Sequence, residues 1–449
     1  MRPYRKLATL SLLALASVSF AQLNVPVYES NPGATYTLFL DFAGIDYRNV
    51  VNVYNGQQHT GEWGQTGAKP GIVPAYDTDG NASSFSSGEK AAIRDTWARF
   101  ANAYAGFNIN VTTVDPGQGL TGAQRQALYD QKRYFMHTQF GGTYNWFGAS
   151  GGVSYVGTAQ SANVASGFHT NWVFPVNGSG TSAQGMAAAG IHEDGHGLSL
   201  NHQRDEANGG GYSNNNGASG NGSYAPIMGT TYTSQRGTWR VGSRYGNLND
   251  VSTLLSNTNM GPLLDDGIGH TFGTASALTL NPNGTIKSGV AKGWIMPKAS
   301  RGYSAGNSVG DSDAYTKDYF RFSVAGGPIV LTVNDGNSLL QEGVADPGAT
   351  MRSVLRILDP LGNLVGVGRE SASTLKHTYS GSLAAGEYVA EISSYGTYIS
   401  SYEPGARYFN MGAYFLTGSG FATVPEPATL VALGLGALIL RRRKRPTTV

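Results

Sequence analysis

Residues 192–202 run His-Glu-Asp-Gly-His-Gly-Leu-Ser-Leu-Asn-His. On a helix, His192 and His196 lie four apart, share one face and can grip one metal ion. Glu193, beside the first histidine, stands where a hydrolytic metal site keeps its general base. His202 follows beyond Gly197 and Ser199, where a helix can end and the chain can fold back with a third imidazole. Three protein ligands leave a fourth position for water, the arrangement of a catalytic zinc rather than a structural one. With only 8 histidines in 449 residues, three at these spacings argue for a metal site.

The pattern resembles the metzincin clan of zinc metallopeptidases, whose signature is His-Glu-x-x-His-x-x-Gly-x-x-His followed by a methionine turn. Tyr224-Ala225-Pro226-Ile227-Met228-Gly229 matches that second element. The resemblance implies zinc held by His192, His196 and His202, with Glu193 as general base. It implies that Met228 forms a hydrophobic floor without ligating, and that the residues after it line the specificity pocket. The activity implied is endopeptidase cleavage of a protein or peptide substrate. That substrate would lie extended along an edge strand, expected near Trp172 and Phe174. Tyr232 offers a fifth ligand or an oxyanion donor. Its offset from Met228 departs from the usual one, and a packed aromatic accounts for it as well.

Two departures bear on catalysis. Ser199 stands at the family's glycine, at a turn where positive φ is useful, and Asp194 adds a second carboxylate beside Glu193. Gly195 and Gly197 weaken the helix, each by about 1 kcal/mol relative to Ala. The rival reading is a non-catalytic matrix or adhesion protein that retains the metal for stability. A glycan-binding module with an incidental metal site is a third.

The two ends carry their own signals. Arg2, Arg5 and Lys6 precede the mostly apolar run Leu7 to Phe20, and small residues follow up to Ala21: a secretory signal peptide over 1–21. Val424-Pro425-Glu426-Pro427, the apolar Ala428 to Leu440 and Arg441 to Arg445 close the chain. This tail, 424–449, resembles the PEP-CTERM sorting signal of Gram-negative bacteria that make exopolysaccharide. The resemblance implies an exosortase-type sorting enzyme as partner and transient anchoring by the tail. The destination it implies is the cell envelope, outer surface or extracellular polysaccharide matrix.

Cysteine is absent, which excludes disulfides and any cysteine-based zinc latch. Little chain separates the leader from the first strand-like run, so no folded prodomain is expected there. The net charge of +2 and the lack of a basic patch exclude nucleic acid as partner.

The elements that must position the site form an expected α+β metzincin-like domain over 30–265. Tyr36 to Phe42 reads as a strand, Ser86 to Tyr104 as a capped amphipathic helix and Phe107 to Thr113 as a second strand. Asn171 to Phe174 is a further strand and Ser182 to Leu198 the metal helix. A last helix is expected near Asp250 to Ser256. Asp77-Thr78-Asp79-Gly80-Asn81 misses the spacing of a calcium loop and reads as a solvated turn. Residues 207–223, rich in Asn, Gly and Ser, form a long loop.

Over 268–420, short strand-like runs alternate with turn signals such as Asp359-Pro360-Leu361-Gly362-Asn363, predicting an all-β antiparallel sandwich. The runs are Asp318 to Val324, Pro328 to Val333, Val354 to Leu358, Glu387 to Ser393 and Ala413 to Thr417. "Asp-Tyr-Phe-Arg-Phe" and "Leu-Ala-Ala-Gly-Glu-Tyr" resemble the bacterial pre-peptidase C-terminal domain that accompanies secreted proteases.

Overall fold

The computed structural model describes residues 23–162, 167–205, 211–212, 223–239, 250–257, 264–295, 316–337, 339, 345–371, 374–395 and 411–423. The leader at 1–21, the tail at 424–449 and most of the loop at 207–223 lie outside the described residues.

The N-terminal part contains β1 (Tyr36–Asp41), α1 (Ser87–Ala103), β2 (Ile109–Thr112), α2 (Gly122–Gln131) and β3 (Phe135–Phe140). It continues with β4 (Gly152–Val153), β5 (Thr170–Val173) and α3 (Ala183–Gly197). The sheet order is β2-β1-β3-β5-β4, with β4 antiparallel to β5 and all other pairs parallel. Alternation along β1 assigns the two faces. Tyr36, Leu38 and Leu40 join Ile93, Trp97 and Phe100 of α1 and Met186 of α3 in the main core. Phe39 turns the other way, onto Tyr129 of α2 and Phe135. Burying an aliphatic or Phe side chain of this kind stabilises the fold by about 1.5–3 kcal/mol.

The serine cap expected on α1 is a full capping box. Glu89 N–H donates to Ser86 Oγ at 3.3 Å, and Ser86 N–H donates to the Glu89 carboxylate at 2.8 Å. That carboxylate also accepts from Thr78 N–H at 2.6 Å, and Asp77 accepts from the N–H groups of Asp79 and Gly80. The acidic run at 77–81 is therefore a turn whose carboxylates satisfy backbone donors.

Two features correct the expected order. α2 and β3 intervene between β2 and β5, and β3 becomes the centre of the sheet. Trp172 is buried on β5, which pairs with β3 on one side and β4 on the other, and Phe174 is buried beside it. Among the described residues the edge on this side of the sheet is therefore β4, because the short antiparallel strand covers the side where an open edge was expected. α2 is tied to the sheet by Arg125, which pairs with Asp41 at the end of β1. Burial pushes the Asp41 carboxyl up, but Arg125 and His137 beside it hold it at about 2.

Beyond α3, β6 (Tyr224–Pro226) pairs in parallel with β7 (Arg236–Thr238), and α4 follows at Asp250–Asn257. The C-terminal part contains β8 (Ser276–Ala277), β9 (Lys292–Ile295), β10 (Lys317–Val324), β11 (Gly327–Asp335) and β12 (Ser353–Leu358). Its remaining strands are β13 (Leu364–Val367), β14 (Arg369–Ser371), β15 (Lys376–Leu383), β16 (Gly386–Ser394) and β17 (Gly412–Ser419). They form two five-stranded sheets, β8-β10-β16-β12-β13 and β9-β17-β11-β15-β14. Every pairing is antiparallel except that of β8 with β10. Phe320, Leu331, Leu355, Ile392 and Leu416 fill the space between them, so this part is a β-sandwich.

A buried polar seam joins the two parts. Arg236 of β7 is fully buried and donates to Asp335 of β11 at 2.7 Å and to the carbonyls of Ala349 and Met351. Asn102 of α1 donates to Asp346 at 3.2 Å. Breaking a buried pair such as Arg236–Asp335 by removing one partner costs about 3–5 kcal/mol. The described chain is thus mostly β, in several sheets, with few helices. Among the described residues no helix is long and apolar enough to cross a membrane.

Candidate metal centre

α3 starts at a serine cap, where Gly185 N–H donates to Ser182 Oγ at 3.1 Å. It ends in a Schellman turn: Leu200 N–H returns to Gly195 O at 2.9 Å and Ser199 N–H to His196 O at 2.8 Å. Ser199 takes φ +78°, the left-handed conformation in which glycine is unstrained. The reversal sends residues 200–202 back alongside the helix.

That reversal brings all three histidines together. Their rings lie 4.6–5.0 Å apart by centroid, and one ring nitrogen of each falls within 4.8 Å of the others. His192 Nδ1 faces the carbonyl of Ile227 at 2.9 Å, and His196 Nδ1 faces that of Leu200 at 2.9 Å. A carbonyl only accepts, so each Nδ1 carries the ring proton and each Nε2 presents a lone pair. His196 Nε2 lies 2.9 Å from His202 Nε2. Burial pushes His192 down to about 3, with the neighbouring His196 adding to the effect; burial also lowers His196, against the opposing pull of the Leu200 carbonyl. Neutral imidazoles whose ring nitrogens come together, with Nδ1 of His192 and His196 bound to carbonyls, could hold a divalent metal ion.

The methionine turn supports this cluster directly. The carbonyl that holds His192 belongs to Ile227, and Ile227 N–H donates to Thr238 O on β7 at 2.8 Å. Met228 is fully buried with its sulfur against α3 at Gly195, where an added Cβ would fall 2.4 Å from Sδ. Gly195, costly for the helix, is the residue that admits the methionine.

The two adjacent carboxylates part company. Asp194 is fully buried on the sheet side, where its Oδ1 accepts from Thr138 Oγ1 at 2.7 Å and Asn171 Nδ2 at 2.6 Å. Glu193 lies on another face, beneath the edge strand, and a Cβ on Gly152 would fall 3.0 Å from its Oε1. Burial raises both, Glu193 to about 8 with the Asp194 charge adding, and Asp194 to about 7 against its two hydrogen bonds. Tyr232 is 37% exposed, and its hydroxyl rests against Gly151, the residue before the edge strand. Burial and the Glu193 charge raise its hydroxyl to about 12. The glycine pair Gly151–Gly152 is the part of the site that sequence reasoning missed. Only the unexplained doublet of glycines signalled it.

The αL serine gives a stability prediction. Ser199→Gly removes a left-handed strain of about 1–2 kcal/mol, partly offset by loss of the 3.3 Å hydrogen bond from Gln160 to Ser199 Oγ. The net expectation is a gain of about 1 kcal/mol in urea unfolding. A lower midpoint would contradict the account of this turn.

Residues 423–445 match the PEP-CTERM protein-sorting motif. The chain therefore carries the signal of an exported protein, recognised by an exosortase at its C-terminus. In a host with that machinery the mature protein is expected to lack Arg441 to Arg445, and intact-mass measurement checks it. Retention of the arginines would point to a plain tail anchor. No curated protein matches the chain. Among solved structures, it is similar to the pre-peptidase C-terminal domain of a collagenase from Bacillus anthracis. That likeness is at 14% identity over 32% of this chain and 95% of that one, with a TM-score of 0.18.

Proposed function

We propose that this protein is an exported zinc-dependent endopeptidase of metzincin type, with the β-sandwich as an accessory domain of pre-peptidase C-terminal type. The observation that carries the reading is the convergence of His192, His196 and His202 beside Glu193, with Nδ1 of the first two turned to backbone carbonyls. Zinc bound there would supply Lewis acidity and bring the pKa of a water down to about 7. Glu193 takes the water's proton and passes it to the leaving amine. The free edge of β4, beside Glu193, pairs with the extended substrate backbone. Tyr232, at the rim of the same strand, donates to the oxyanion that forms on the scissile carbonyl.

The non-catalytic reading drew on Asp194 and Ser199. Asp194 is committed to Thr138 and Asn171, away from the histidines, and Ser199 adopts the conformation the turn needs. Asp194 acts on Glu193 through its charge, which adds to burial in raising the Glu193 carboxyl. The test is purified protein lacking leader and tail, assayed for zinc and for casein or gelatin cleavage. About one zinc per chain is expected, with activity abolished by a chelator and restored by zinc. Protein that holds no zinc after dialysis into zinc buffer would overturn the proposal.

A further inference from the structure

A small, open-mouthed cleft of about 40 Å³ lies between the two parts of the chain. One wall is the stripe of α3 from Gln184 to Ile191, which ends one residue short of His192. Facing it is Ile227. The cleft's link to the histidines is through this residue, which lines the cleft while its carbonyl holds the His192 ring. α1 contributes Arg99, and the sandwich contributes Gly348 and Thr350.

Among the described residues that line the cleft, Arg99 is the single charged one. Its Nε donates to Asp95 at 2.9 Å, one turn back on α1, and its terminal nitrogens make no other ion pair among the described residues. The Arg99 side chain as a whole is 14% exposed. Gly348, at φ +83°, lets the sandwich loop lie flat on it; a Cβ there would fall 2.6 Å from Arg99 Cγ. The same loop is held by Arg236, which donates to the carbonyls of Ala349 and Met351. Across the cleft, Gln184 Nε2 fixes the segment after the methionine turn by donating to the carbonyls of Tyr232 and Ser234, both at 3.0 Å. Ser234 Oγ is buried there without a hydrogen-bond partner.

We propose that this cleft seats a substrate side chain flanking the scissile bond and selects a carboxylate through Arg99, with the sandwich forming its far wall. The inference rests on the peptidase reading and names its substrate class. A guanidinium shielded from water binds a carboxylate through two parallel N–H donors, more strongly and with more geometric selectivity than a neutral amide. Asp95 engages the Arg99 Nε from one turn back on α1, and among the described residues that line the cleft there is no acidic side chain. The sandwich is then part of the substrate site as well as its support.

Two measurements test it on the chain without leader and tail. Zinc-loaded Glu193→Gln protein is titrated with the capped pentapeptides Ala-Ala-Asp-Ala-Ala and Ala-Ala-Asn-Ala-Ala, and wild-type cleavage of longer Asp and Asn peptide pairs is compared. The Asp peptide is expected to bind about 10-fold more tightly or better. Arg99→Gln should erase the ratio, Arg99→Lys should keep part of it, and Arg99→Glu should shift preference to a Lys peptide. Equal binding of the two peptides, absence of binding by either, or a ratio that survives Arg99→Gln overturns the proposal. A binding ratio that holds while wild-type protein cleaves nothing refutes the peptidase reading and leaves the carboxylate pocket standing. Zinc-dependent cleavage without preference for Asp does the reverse.

Discussion

His196→Ala is expected to strip the protein of zinc, lowering affinity by more than about 100-fold. Losing a ligand must exceed the 10- to 100-fold cost of disturbing groups that merely orient one. The mutation removes one of three Nε2 donors and leaves two, a set that binds zinc far less tightly. It also removes the donor to the Leu200 carbonyl at the turn that delivers His202. Met228→Leu is the control. That side chain packs on Gly195 and supplies no ligand, so the change should keep zinc and cost less than about 1.5 kcal/mol. Metal content by plasma mass spectrometry, with circular dichroism to confirm folding, separates the two. Full zinc in folded His196→Ala would show that the three histidines are not the ligands.

The same geometry sets a pH dependence. His192 is held near 3 by burial, below an unfolded histidine, so the folded ring refuses a proton that the unfolded chain accepts. Stability of the metal-free protein therefore falls as pH drops from about 6.5 towards 3, and is fully present above that range. Urea midpoints measured across the interval check the sign.

Much of the site was legible because its chemistry is local. The helix, the three histidines and the Pro226-Ile227-Met228 turn are each written in a few consecutive residues. β3 was not legible, although it is the centre of the sheet. Phe135-Met-His-Thr-Gln-Phe shows no clean alternation, because His137, Thr138 and Gln139 are buried polar residues. Their partners, Asp41, Thr170 and Asp194 among them, are distant in sequence. Asp194 was visible as an oddity, yet its task depends on Thr138 and Asn171, 56 and 23 residues away. The edge strand escaped because Gly152–Val153 is too short to carry a period. In the sandwich, β15 was missed because Lys376-His-Thr-Tyr-Ser-Gly-Ser-Leu383 has little apolar content to mark its inner face. Arg236 reads as an ordinary surface arginine until the sandwich closes over it.

Glu193→Gln is expected to keep zinc and lose peptide hydrolysis by about 10²–10⁴-fold, or roughly 3–5 kcal/mol of barrier. Glutamine preserves size and hydrogen bonding but cannot take a proton from water. Asp194, the adjacent carboxylate, does not substitute. Successive residues on a helix diverge by about 100°, and here they face different partners. Glu193 lies under Gly152 of the edge strand, while Asp194 is held by Thr138 and Asn171 against the sheet. Asp194→Asn should therefore affect stability, since a buried acceptor of two donors is altered, and leave kcat per bound zinc within a few-fold of wild type. Comparing both variants at matched zinc occupancy separates folding from chemistry. If Glu193→Gln retains wild-type turnover while folded, zinc-loaded Asp194→Asn is inactive, the general base has been assigned to the wrong carboxylate.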